Sequence, residues 1–336
     1  MLDFGMLPRD AQLGVLMELA EKALGHFDLP RGPSLALINL SENATYRIDA
    51  VDGRRWALRI HREGYHSRAA IASELSWLME LRDKGIAVTP TPVRGLDGEL
   101  IQVVAHPRMT APRHVVLSEW EEGVEPGIGE KLEGPFEVLG EQTARMHLHA
   151  RDWGRPPWFE RHTWDFATAL GGDKPHWGRW RRGMGVKGET EKLFQRTVDL
   201  IGKRLAAYGK GPERFGLVHA DLRLANLLID GDVVKVLDFD DSGFSWHMYD
   251  AAAAVSFYEH EPQVPALLEA WKRGYRKVTS LPKEDEAEIP TFVMMRRLLL
   301  VAWIGSHAET ELARSMGLGF TQGTIGLCEE YLRNLA

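Results

Sequence analysis

Residues 217–241 read LVHADLRLANLLIDGDVVKVLDFDD. Two short apolar runs, Leu227–Ile229 and Val233–Leu237, flank Asp230–Gly231. A turn dipeptide between β-prone runs predicts a hairpin. The loop before the first run carries His219, Asp221, Arg223 and Asn226, and the second run ends in Asp238-Phe239-Asp240-Asp241.

These residue types at this spacing suit one chemistry. Phosphoryl transfer asks little covalent work of a protein. It needs a carboxylate to orient or deprotonate the acceptor hydroxyl, and oxygen ligands to hold Mg2+ against the phosphates. Asp221 suits the first task. Asn226 offers a carbonyl oxygen and Asp238 a carboxylate for the second, the hard donors that Mg2+ prefers. The step from Asp221 to Asn226 lets one loop present both to the same place.

The segment resembles the catalytic loop and metal aspartate of the protein-kinase-like superfamily, whose pattern is H-x-D-L-x-x-x-N followed by D-F-x. The order of elements over nearly the whole chain is most similar to the aminoglycoside phosphotransferase and choline kinase branch, which includes homoserine kinase-like and fructosamine kinase-like members. Residues 217–250 carry the tight match. The resemblance implies an α+β bilobal kinase-like fold. Residues 1–119 would form an N-lobe with a small antiparallel sheet, and residues 120–336 a mainly helical C-lobe with the catalytic loop and acceptor site. ATP with Mg2+ is the implied donor, bound between the lobes.

Roles then transfer position by position. Asp221 matches the catalytic base, and Asn226 and Asp238 match the metal ligands. His219 is expected to brace the loop and Asp250 to steady the C-lobe. Arg223 either neutralises charge on the phosphate in flight or makes a surface salt bridge. Arg59, in Trp56-Ala57-Leu58-Arg59, stands where the family pattern has a phosphate-pairing lysine, and Glu74 matches its helix glutamate. Arginine can bridge phosphate and carboxylate in a bidentate manner. Residues 40–46 stand where the family places its phosphate-covering loop. They lack glycine, so contact would come from Ser41, Asn43, Thr45 or backbone N–H groups. Backbone groups at Ser118, Glu119 and Trp120 are expected to meet the purine. Asp240 is left open between metal, substrate and structural roles, and Asp241 is read as structural.

Outward from this segment the periodicity agrees with two parts. Toward the N-terminus, residues 10–26 carry a helical pattern. Residues 35–39, 44–51 and 54–60 are β-rich, and a helix is expected over 67–84. Residues 99–105 and 114–119 read as further strands. Helices are expected over 137–150, 189–208, 248–260, 264–277, 284–308 and 321–335. Residues 151–187, rich in Trp, Gly, Pro and Arg, read as an irregular insertion with a short helix near 164–170.

Composition narrows the function classes. The 336 residues are 44% apolar and carry a formal charge of −7 with a pI near 6.0. Such a surface repels phosphodiester backbones, so no nucleic-acid partner is expected. Cys328 is the single cysteine. An internal disulfide and a cysteine zinc cluster are excluded, which fits a cytoplasmic protein, and Cys328 reads as a core thiol. The start of the chain does not read as a signal peptide, and the apolar run 298–305 is far short of the ~20 residues that span a bilayer.

Other features read as structural. His147 is expected as a polar side chain rather than a zinc ligand, since no H-E-x-x-H is present. Residues 317–323, glycine-rich, read as a loop between helices. Arg296, Arg297, Trp303 and His307 recur at a helical spacing that could reach the acceptor pocket, with core plus surface charge the preferred reading. The acceptor is expected to be a small-molecule alcohol, with Asp240 and Glu259 leaning toward a cationic one. The rival readings are a Ser/Thr protein kinase of the same branch and a non-catalytic nucleotide-binding module.

Overall fold

The computed structural model describes residues 4–40, 43–308 and 310–335. The chain divides into two units. Met1–Asp83, Thr89–Glu122 and Arg155–Glu160 form the first, and Lys84–Val88, Gly123–Gly154 and Arg161–Ala336 the second.

The first unit is built on alternation. Its helix α1 (Arg9–Leu24) is followed by strands β1 (Ser34–Leu40), β2 (Ala44–Asp49) and β3 (Arg55–Ile60), then helix α2 (Arg68–Asp83) and strands β4 (Pro92–Val93), β5 (Gln102–Val104) and β6 (Arg113–Glu119). Among the described residues these strands form one antiparallel sheet in the order β1-β2-β3-β6-β4, with β5 also paired to β6. Successive side chains on a strand face opposite ways. Ala44, Tyr46 and Ile48 of β2, Trp56, Leu58 and Ile60 of β3, and Val115 and Leu117 of β6 pack with Leu16, Leu19, Ala20 and Ala23 of α1 in one core. The same alternation places Arg55, Ala57 and Arg59 on the other face. Ser67 accepts the N–H of Ala70 through Oγ at 3.0 Å and so caps the start of α2, satisfying one of the donors a helix leaves open there.

The second unit is mostly helical. It contains α3 (Glu133–Asp152), β7 (His162–Thr163), α4 (Glu189–Tyr208), β8 (Phe215–Val218), β9 (Leu227–Asp230), β10 (Val233–Val236), β11 (Gly243–Trp246), α5 (Tyr249–Ala254), α6 (Val264–Arg276), α7 (Lys283–Ser306) and α8 (Glu311–Leu335). β9 and β10 form the expected hairpin, with Asp230 paired to Val233 and Gly231 at φ +59 between them. A side chain is costly at that φ, which is why glycine stands there. α3 and α6 pack at glycines. A Cβ added at Gly140 would lie 1.9 Å from the carbonyl oxygen of Trp271, and one at Gly274 1.8 Å from that of Glu137.

Three expectations are corrected. The helix expected over 248–260 ends at Ala254, and the chain turns through Phe257 at φ +78. Val255 and Tyr258 stay buried through the turn, so the apolar pattern continues where the helix does not. The glycine-rich stretch 317–323 is no loop. It lies inside α8, which is interrupted only at Gly317 (φ +46, ψ −136). Each helical glycine costs about 1 kcal/mol, and burial of Phe320, Thr321, Thr324 and Cys328 outweighs that. Third, α7 carries no surface arginines at its centre: Arg296 and Arg297 are 2% and 1% exposed. α7 is apolar and long enough to cross a membrane by composition, but 78% of its apolar window is buried inside the protein, so it is a core helix. Burial pushes the Cys328 thiol up to about 12, consistent with an inert core residue.

Candidate active site

The loop between β8 and β9 holds the sequence motif, and its backbone is pinned from below by one carboxylate. Asp250, at the start of α5 and fully buried, accepts the N–H of Ala220 at 2.7 Å and of His219 at 3.1 Å. Its Oδ2 also lies 3.0 Å from His147 Nε2, and His147 Nδ1 lies 3.1 Å from the Tyr275 hydroxyl. Ala220 thereby holds φ +68, a conformation alanine rarely takes. His219 braces the loop from within. Its Nε2 lies 3.0 Å from the carbonyl oxygen of Leu237, and its Nδ1 accepts the Asp221 N–H at 3.2 Å. That pattern assigns the proton to Nε2 of a neutral ring. Burial, the largest influence, lowers the His219 pKa and favours the same neutral form.

Asp221 is 8% exposed. Oδ2 accepts from Asn226 Nδ2 at 2.7 Å and from Arg223 Nε at 3.2 Å, while Oδ1 accepts from Arg296 Nη2. Burial alone would raise its pKa. Arg223 first, then Arg296, overcome that and hold the carboxyl below its ordinary value. The group is an anion, held by two guanidiniums and one amide. Arg223 keeps part of its side chain exposed, with Phe257 5.8 Å from its guanidinium carbon.

Asn226 sits at the end of a short 3₁₀ turn, Leu224–Asn226. Its amide nitrogen donates to both the carbonyl oxygen (2.9 Å) and Oδ2 of Asp221. That fixes the amide orientation and keeps Oδ1 as its acceptor atom. The N–H of Leu237 donates to the Asn226 carbonyl at 2.8 Å, which puts Asp238 one residue beyond a direct tie to Asn226. Asp238 occupies the left-handed region (φ +56, ψ 72) and caps the turn Phe239–Asp241, its Oδ1 accepting from the Asp240 N–H at 3.4 Å. Arg161 anchors this turn by donating to the carbonyls of Phe239, Asp240 and Ser242. The donor set, an amide oxygen and a carboxylate on adjoining loops, fits a hard divalent ion. Among the described residues no group of three or more His, Cys, Asp or Glu side chains forms a metal cage. An ion held by these two donors would need its other ligands from phosphate and water.

In the first unit, Arg59 Nη1 donates to Glu74 Oε1 at 2.8 Å. Glu74 is 4% exposed at its side chain and Arg59 23%, so the glutamate is buried within α2 and the arginine reaches it from the sheet. Ser41 lies outside the described residues. Asn43 Oδ1 accepts the N–H of Arg62 at 3.1 Å. Ser118 is paired on both sides, to Ala57 of β3 and Pro92 of β4. The N–H of Glu119 donates to Thr91 at 2.8 Å and that of Trp120 to Arg55 at 3.2 Å, so these two donors are spent within the unit. Arg47 and Arg55 lie 6.0 and 5.7 Å from the Trp120 ring.

Glu259, expected to attract a cation, is fully buried and paired with Arg297. Arg161 and the bond from Arg296 to Asp221 were not anticipated. A basic residue in a Trp- and Gly-rich stretch announces no partner, and the helical spacing that singled out Arg296 does not say which element it faces.

Comparison with known proteins gives a consistent picture. Residues 36–287 match the phosphotransferase enzyme family. Amicoumacin kinase of Bacillus subtilis (strain 168) is 25% identical over 272 residues, covering 77% of this chain and 76% of that protein. The structure of a microcompartment-associated aminopropanol kinase superposes with a TM-score of 0.87 at 42% identity, covering 95% of this chain and 99% of the other. That of an amicoumacin kinase in complex with AMP-PNP, Ca2+ and Ami superposes with a TM-score of 0.75 at 20% identity, covering 95% and 96%.

Proposed function

The chain belongs to the phosphotransferase enzyme family and is a kinase of small molecules with a protein-kinase-like α+β fold, and from that premise we propose that it moves the γ-phosphate of Mg2+·ATP to the hydroxyl of a short amino alcohol. The observation that carries the mechanism is the buried, ionised Asp221 bonded to Asn226, one residue short of a backbone tie to Asp238. The acceptor class is supported by 42% identity, over nearly the whole of both chains, to a protein described as an aminopropanol kinase.

Asp221 aligns the acceptor hydroxyl and accepts its proton as the oxygen attacks phosphorus. Its lowered pKa suits a transition state in which the proton leaves late, since orientation then matters more than basicity. Asn226 Oδ1 and Asp238 are the residues that would hold a divalent ion. When bound there, such an ion would supply positive charge against the phosphates. Arg223, partly exposed and held by one bond to Asp221, can turn to the transferred phosphate. In the N-terminal part, residues 1–119, Arg59 poised by Glu74 is assigned to the nucleotide phosphates, with Asn43 and Ser41 from the stretch 40–46, and Ser118–Trp120 would have to meet the purine through groups other than the Glu119 and Trp120 N–H, which are spent within the unit. Residues 120–336 carry the transfer chemistry. Asp240 is the carboxylate offered toward an ammonium group, whereas Glu259 is spent on Arg297. No step calls for a nucleic acid or a membrane, and a cytoplasmic setting suits the single buried cysteine.

The test is ADP release over a panel of alcohols with Mg2+·ATP. Turnover with aminopropanol and related amino alcohols, at least tenfold above sugars and aminoglycosides in kcat/KM, is expected. Turnover confined to sugars would overturn the acceptor class, and none with any small alcohol would overturn the reading.

A further inference from the structure

Arg296 and Arg297 are neighbours on α7 with different employments. Arg297 donates to Thr324 Oγ1 at 2.8 Å, to the carbonyl of Phe320 at 3.0 Å and to Glu259, and its guanidinium lies 3.5 Å from the centre of the Phe320 ring. It binds α7 to α8 through Thr324 and Phe320, and its charge is met by Glu259, a carboxylate with no part in the chemistry proposed above. One helical step of about 100° away, Arg296 donates through Nε to Ser256 Oγ at 3.1 Å, through Nη1 to the Tyr249 hydroxyl at 3.2 Å, and through Nη2 to Asp221 Oδ1.

We propose that Arg296 is a positioning residue for phosphoryl transfer, one that locks the Asp221 carboxylate in the orientation that receives the acceptor hydroxyl. The proposal rests on the role of Asp221 given above.

Three observations carry it. A guanidinium this deeply buried requires an anionic partner, and the carboxylate that Arg296 hydrogen-bonds is the one at the centre of the catalytic loop. Its other two partners are neutral hydroxyls, Tyr249 from the first residue of α5 and Ser256 from the turn after that helix. They fix where the guanidinium stands without neutralising it, so its fork is set before Asp221 is added. Finally, the pair is covered. The ring of Trp177 lies 5.1 Å from the guanidinium carbon, and the carbonyl of Trp177 is itself held by Ser306 Oγ at 2.8 Å. With Oδ1 pinned by Arg296 and Oδ2 by Asn226 and Arg223, the carboxylate has no freedom to rotate. Small errors in such an alignment are costly in rate. Arg223, the exposed member of the two, is then at liberty to leave for the phosphate without releasing Asp221.

The experiment is steady-state kinetics with Mg2+·ATP and aminopropanol on wild type, Arg296→Gln, Arg296→Lys, Asp221→Asn and the Arg296→Gln/Asp221→Asn double variant. Arg296→Gln is expected to lower kcat about 100-fold while KM for both substrates stays within about threefold. Arg296→Lys, which keeps the charge and loses the fork, is expected to recover about tenfold of that. In the Asp221→Asn background, measured by single turnover, Arg296→Gln is expected to change the rate by less than about threefold, because a residue acting through Asp221 has nothing left to act on. Equal losses in both backgrounds, or an unchanged kcat in Arg296→Gln with only a lower Tm, would overturn the proposal. If Arg296→Gln does not fold, Arg296→Lys decides: about a tenfold fall in kcat at constant KM supports the role, and wild-type kcat overturns it. Wild-type kcat in Asp221→Asn alone would instead overturn the assignment of Asp221, and Arg296 with it.

Discussion

Asp250 Oδ1 accepts the backbone N–H of Ala220 at 2.7 Å, and Ala220 stands at φ +68. The left-handed region costs an alanine about 1–2 kcal/mol, so the loop that presents Asp221 is held against its own preference by a buried carboxylate on another element. Asp250→Ala removes that acceptor and leaves the N–H groups of Ala220 and His219 buried without it. We expect a loss of about 3–5 kcal/mol, read as a lower urea midpoint. Ala220→Gly should be neutral or stabilising by up to about 1 kcal/mol in the same measurement, since glycine takes this φ freely.

Asp221→Ala tests the mechanism directly. Removing the group that aligns the hydroxyl and takes its proton should lower kcat by about 1,000-fold or more. Asn226 and Asp238 remain, so stabilisation by Mg2+·ATP in a thermal shift should persist. Turnover near that of wild type would refute the assignment, and loss of nucleotide binding would show that Asp221 serves the phosphates instead.

How much of this was legible in the sequence depends on range. The hairpin at Asp230–Gly231 and the bounds of α4 at Glu189–Tyr208 follow from local signals, a turn dipeptide and a 3.6-residue period. The order of polar residues in the loop pointed to Asp221, Asn226 and Asp238 for the same reason. What was not legible is what crosses the chain. Arg296 lies 75 residues from Asp221, and periodicity says which side of α7 it occupies but not what waits there. Glycine was misleading at 317–323, where tertiary burial overrode local preference and the helix ran through. At Phe257 the reverse held: the apolar pattern ran on past a turn that no turn residue announced.

Arg59 stands where the resemblance to the kinase pattern expects a lysine. The bond to the buried Glu74 shows that the arginine fork reaches the helix partner. Arg59→Ala should raise KM for ATP about tenfold or more, an effect of about 1.4 kcal/mol or more on binding, with kcat for aminopropanol falling less. Arg59→Lys should sit between the two. Initial rates across ATP concentrations decide it, and an unchanged KM in Arg59→Ala would remove the residue from the nucleotide site.

The contact of α3 with α6 makes a prediction independent of chemistry. Alanine at Gly140 or Gly274 would place a methyl within 2 Å of a backbone carbonyl on the facing helix. Backbone cannot swing aside as a side chain can, so the helices must separate. Each substitution should cost about 3 kcal/mol, seen as a fall in Tm of roughly 6 °C. Gly326→Ala, where nothing lies within 4 Å of the added methyl, is the matched control and should change Tm little.

His247 sets a pH dependence of stability. It is stacked on His147, ring centres 4.6 Å apart, and is 8% exposed. Burial, then the neighbouring His147, push its pKa down to about 3 from an ordinary 6.5. The sign follows from which state takes the proton first. Below pH 6.5 the unfolded chain protonates His247 and the folded protein does not, so the folded state loses stability as pH falls, down to about pH 3 where both forms are charged. At 1.36 kcal/mol per unit the loss is about 2 kcal/mol at pH 5 as an upper figure. His247→Gln has no such proton to take up. Its urea midpoint should therefore fall less than that of wild type between pH 7 and pH 5, and parallel curves for the two proteins would show that His247 titrates normally in the folded state.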